Sequence, residues 1–102
     1  MQLDPNEQIL ADVAANMWRG IEAVGGRMKI TNRRVIFESH AINLQKIPAE
    51  IPMSDISLVG PQNTTLIVPN GLVIRLKSGM EYKFVVWGRG RLISLIQQHM
   101  AG

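Results

Sequence analysis

From Gly25 to His40 the chain alternates apolar and polar residues on either side of a short polar break. Met28 and Ile30 fall on one face, Arg27 and Lys29 on the other, and Val35 and Phe37 resume the apolar series after Asn32-Arg33. This period of two predicts a pair of β-strands joined by a tight turn. Folding back at Asn32-Arg33 sets Ile30 against Val35 and Met28 against Phe37, with Arg27 opposite Glu38 on the wet face. A slip of one residue would lose both matches.

The same period recurs along most of the chain. Ile9, Ala11, Val13, Ala15 and Met17 alternate with more polar neighbours and predict a first strand, after at most one helical turn. That turn would use Asp4 as its cap, Pro5 at the first helical position and Glu7 as the reciprocal partner. Trp18 to Glu22 reads as a loop, and Gly25-Gly26 as a bulge or a close backbone approach. Pro48 and Pro52 bracket a short edge strand. Leu72, Ile74 and Leu76 pair with Phe84, Tyr82 and Met80 across a three-residue turn, Lys77-Ser78-Gly79, which requires a left-handed residue at Gly79. From Arg89 onwards the apolar residues Leu92, Ile93, Leu95, Ile96 and Met100 fall at helical spacing. The expectation is seven strands, at about 9–17, 23–31, 34–40, 49–53, 56–59, 72–77 and 80–87, then one helix at about 89–100. This is a mainly β fold: a bent antiparallel sheet capped by the helix, in one domain spanning 1–102.

Composition narrows the chemistry. The 102 residues include no cysteine, which removes disulfides and thiolate metal sites and suits a reducing cytoplasm. Neither a signal peptide nor an apolar run of membrane-spanning length is expected. Ser39 and His40 adjoin, but neighbours in a strand point to opposite faces and make no catalytic pair. His99 stands apart near the chain end, so no metal site, cofactor or enzymatic centre is expected. The net charge of +3 is compatible with anionic partners. Aromatic residues make up only 5%, without the stacking stripe of a nucleic-acid binder. Trp87, ending a buried strand, is expected in the core. Trp18 is either a lid on the barrel end or an interfacial contact.

The ordered set resembles the GRAM domain of the pleckstrin-homology-like superfamily, as a freestanding, bacterial-type member. Gly25-Gly26 followed by Met28, Ile30, Thr31, Asn32, Arg34 and Val35-Ile36-Phe37 is its most specific part. Ile51-Pro52-Met53-Ser54-Asp55-Ile56 and Pro69-Asn70-Gly71-Leu72 with Tyr82-Lys83-Phe84 extend it over nearly the whole chain. The resemblance implies a seven-stranded, partly open barrel and a non-catalytic module that binds anionic lipid head groups or acidic protein segments. On that fold Arg33, Arg34, Arg89 and Arg91 are expected to form one basic patch. The loops that relatives use for head groups offer Trp18, Arg19, Lys46 and Lys77. Such a module would be cytoplasmic and, when docked, peripheral at the inner face of the membrane. The alternative is a protein–protein or homo-oligomerisation module with no lipid ligand.

Overall fold

The computed structural model describes residues 2–19, 22–40, 49–62 and 70–100. Seven strands follow in order: β1 (Ile9–Arg19), β2 (Glu22–Thr31), β3 (Arg34–Ser39), β4 (Ala49–Pro52), β5 (Ile56–Pro61), β6 (Gly71–Leu76) and β7 (Glu81–Val86). A single 3₁₀ turn, Met53–Asp55, separates β4 from β5, and α1 (Arg89–His99) ends the described chain. All neighbours pair antiparallel in one sheet of order β4-β3-β2-β1-β7-β6-β5.

That order dictates the shape. β4 and β5 are the two edges of the sheet, yet only Met53–Asp55 lies between them in sequence. The sheet must therefore curl until its edges approach each other at this corner. The corner is tied to two hairpin tips: the Met53 N–H donates to the Arg33 carbonyl at 2.9 Å, and the Lys77 N–H donates to the Asp55 carbonyl at 2.8 Å. Met28, Ile30, Val35, Phe37, Leu72, Ile74 and Phe84 fill the concave side, and Phe37 meets Phe84 with ring centroids 5.9 Å apart. Helix α1 packs chiefly over β5 and adds Leu92 and Ile96 to this core.

Both hairpin registers follow the alternation. Met28 pairs with Phe37, Ile30 with Val35, Leu72 with Phe84 and Ile74 with Tyr82. Gly79 has φ +94°, and its N–H closes the turn on Leu76 at 2.9 Å. Other expectations are corrected. Glu7 reaches back as expected, accepting from the Asp4 N–H at 2.9 Å, but Asp4–Glu7 is a β-turn with Asn6 at φ +66°, and left-handed Asn6 stops helical propagation. Trp18 lies within β1, paired with Ala23. Of the two alternatives for Gly25-Gly26, the close approach holds: a Cβ on Gly26 would stand 2.2 Å from the Glu38 carbonyl oxygen. Register shifts fall instead in β1 between Ile9 and Ala11 and in β5 between Ile56 and Leu58, and Ile9 is exposed. Met80 sits outside β7 and is exposed.

Candidate functional site

The Thr31–Arg34 turn is the tip expected to present cations. The Thr31 hydroxyl, fully buried, donates to Glu7 Oε2 at 2.6 Å, and its oxygen accepts the N–H groups of Arg33 and Arg34 at 3.0 Å each. Asn32 straps the N-terminal segment on, accepting from the Gln8 N–H at 2.8 Å and donating to the Asn6 carbonyl at 3.1 Å. Arg34 Nε donates to Glu7 Oε2 at 2.8 Å and Nη2 to Oε1 at 2.9 Å; Nη2 also reaches the Gln2 carbonyl at 2.8 Å, and Nη1 the Glu50 carboxylate. The guanidinium, aided by the Thr31 hydroxyl, pulls the Glu7 carboxyl down from 4.5 to about 2. Glu7 and then Glu50 hold Arg34 further above its ordinary value.

Arg34 thus ties the N-terminal segment and β4 to the β2–β3 tip. Its charge is spent on two carboxylates, and its side chain is only 14% exposed. The two families of bonds explain why Thr31, Asn32 and Arg34 occur together: each fastens the N-terminal turn to the β2–β3 tip.

The remaining arginines do not converge with this tip. Arg33 is exposed, with a long contact to the Pro5 carbonyl at 3.5 Å. Its carbonyl is held at the Met53–Asp55 corner, where exposed Lys77 also sits. Arg89 Nη1 donates to the Gly71 carbonyl at 3.1 Å, at the far end of β6 from Lys77. Lys77 lies six residues along from Gly71, an extended path of about 20 Å. Arg91 is exposed on α1. The expected single patch thus divides between the Arg33–Lys77 corner and the start of α1. Lys46 and the side chain of Arg19 lie outside the described residues.

Of the two tryptophans, Trp87 departs from its expected place in the core. Trp18 is half-buried, and its indole N–H is buried with no partner among the described residues. Trp87 is 77% exposed. The signal was present in the alternation: Phe84 and Val86 point inwards, so the next odd position points out.

Trp87 stands on the outer face of the sheet, opposite the core. Register builds this face in rows. His40, just past β3, lies beside Gly25, Asn16 and Val85 of β2, β1 and β7, with the His40 N–H donating to the Gly25 carbonyl at 2.9 Å. One row on, Arg27 lies between Ala14 and Glu38, and Trp87 comes beside Ala14. Because Ala14 and Gly25 carry almost no side chain, they floor a cleft of about 200 Å³ walled by Trp87 and His40. The side chains of Asn16 and His40 have no hydrogen-bond partner among the described residues.

Two ion pairs flank the cleft on one side, and exposed Lys83 of β7 stands on the other without a carboxylate partner among the described residues. Arg27 holds Asp12 at 2.8 Å, and Lys29 holds Glu38 at 2.7 Å. Arg27 thus reaches across to β1 instead of pairing with Glu38, its backbone neighbour. The Lys29 ammonium lowers the Glu38 carboxyl, and Glu38 raises Lys29 in return. Among the described residues no group of histidine and acidic side chains is arranged to hold a metal ion.

This architecture is the pleckstrin-homology-like fold. The C-terminal domain of an unknown protein from Leishmania infantum superposes with TM-score 0.80 at 14% identity, covering 94% of this chain and 86% of that one. The Vps36 N-terminal PH domain gives 0.71 at 16% identity, with 95% and 84% covered. The N-terminal PH domain of human ARAP2 gives 0.69 at 16%, with 88% and 77% covered. The GRAM domain family matches residues 1–100, and the chain belongs to it. Comparison with curated protein sequences finds no match.

Proposed function

We propose that this chain is one non-catalytic binding domain whose contact is with protein, made through the outer face of β1, β2 and β7. The observation that carries this reading is Trp87, exposed beside a cleft whose neighbouring cations Arg27 and Lys29 are already paired with carboxylates. Exposed tryptophan next to a concavity is characteristic of protein contacts, where this side chain is enriched at energetically dominant positions. An anionic ligand, by contrast, needs several converging unpaired donors. Arg34 is occupied by Glu7 and Glu50, and Arg27 and Lys29 are occupied by Asp12 and Glu38. His99 Nδ1 contacts the Leu95 carbonyl at 2.9 Å. A cytoplasmic location belongs to this proposal; among the described residues no helix is long and apolar enough to cross a membrane.

A second reading has its own observation. Arg91 is exposed four positions after exposed Trp87, with Arg89 between them. Tryptophan with nearby cations suits an anionic lipid interface. Co-sedimentation with phosphatidylcholine vesicles, with and without phosphatidylserine, separates the two. The protein reading expects no excess binding to the anionic vesicles. Binding that needs phosphatidylserine and is lost in the combined variant Arg33→Gln, Arg89→Gln, Arg91→Gln overturns it in favour of the lipid.

A further inference from the structure

We infer that the protein docked on this face is a second copy of the same chain, with Trp87 of each protomer entering the cleft of the other. This rests on the protein-contact reading above and names its partner.

A two-fold interface must be self-complementary: the patch on one copy has to supply both the projection and the recess that receives it. Here both lie on one face in adjacent positions. Trp87 projects, and the recess floored by Ala14 and Gly25 opens beside it. Their sizes agree. A cavity of about 150 Å³ accommodates benzene, and this cleft of about 200 Å³ suits the larger indole. A buried indole N–H needs an acceptor. Asn16 Oδ1 supplies one at the floor, 3.3 Å from the position a Gly25 Cβ would take and without a partner among the described residues.

Electrostatics permits the contact. The rows on one side of the cleft carry the Asp12–Arg27 and Lys29–Glu38 pairs, and exposed Lys83 on the other side adds one unpaired cation per copy. Like-charge repulsion between copies, the usual obstacle for a basic chain, is absent from these paired rows. Area sets the strength. Four strands at about 4.8 Å spacing and three rows at about 6.7 Å give roughly 400 Å² of sheet per copy. That is below the roughly 800 Å² per partner of standard stable interfaces. The dimer is therefore weak and concentration-dependent.

Sedimentation velocity over a wide range of protein concentrations tests this, together with tryptophan emission. The full chain should move from monomer to dimer mass as concentration rises, while its emission shifts to the blue as Trp87 leaves water. Trp87→Ala removes the projection. Gly25→Leu fills the recess, its Cβ meeting only the Asn16 side-chain oxygen. Each should weaken association at least ~10-fold, with circular dichroism and melting showing that both variants fold. A monomer at every concentration, or a dimer that survives either substitution in folded protein, overturns the second-copy inference. Those outcomes leave the protein-contact reading standing, because that reading falls only to arginine-dependent binding of anionic vesicles.

Discussion

Arg34 grips both carboxylate oxygens of Glu7, Nε to Oε2 at 2.8 Å and Nη2 to Oε1 at 2.9 Å, across a sequence separation of 27 residues. The pair fixes the N-terminal turn against the β2–β3 tip, and Thr31 and Asn32 complete the joint. Removing one partner from such a network leaves the other buried without compensation. Arg34→Gln is therefore expected to lower the melting temperature clearly, whereas Arg33→Gln, at an exposed position, should leave it within about 0.5 kcal/mol of the parent. Thermal melting of the two variants side by side makes the comparison.

The same carboxylate sets an acid limit. The Glu7 pKa lies at about 2 in the folded chain against an ordinary 4.5. A depressed carboxylate contributes stability that is present above pH 4.5 and is lost as the pH falls through 2. Glu38, lowered by Lys29, adds in the same direction. Denaturant unfolding between pH 5 and pH 2 should show falling stability, with a shallower fall in Glu7→Gln. An equally steep fall in that variant would remove Glu7 as a cause.

Two adjacent glycines make opposite predictions. A methyl on Gly26 would meet the Glu38 carbonyl oxygen at 2.2 Å and Ser39 Cα at 2.8 Å, both backbone atoms that cannot move aside. Gly26→Ala should cost about 1–3 kcal/mol or more. On Gly25 it would meet only Asn16 Oδ1 at 3.3 Å, so Gly25→Ala should be close to neutral. Chemical denaturation of each variant distinguishes a sheet pinched at Gly26 from one that is open there.

Phe37 is 1% exposed and bears on Phe84, joining the β2–β3 hairpin to β7 through the core. Phe37→Ala should lose about 3–5 kcal/mol. Tyr82, the other ring stacked near Phe84 at 6.4 Å, is only half-buried. Tyr82→Ala should cost less, and the difference can be read from unfolding midpoints at unchanged slope.

The sequence by itself determined the strand pairs, because side-chain alternation and turn chemistry are local. Met28 against Phe37, Leu72 against Phe84 and the left-handed Gly79 all follow from a few neighbouring residues. Alternation also contained the exposure of Trp87, since Val86 points inwards, although hydrophobicity alone favoured burying the indole. Tertiary structure decided the rest. That Arg34 is spent on Glu7 and Glu50 depends on bringing three distant segments together. The cleft depends on β7 docking beside β1, which places Trp87 next to Ala14 and Gly25. Charge partners and surface concavities arise between segments remote in sequence, so no periodicity within one of them records which groups will meet.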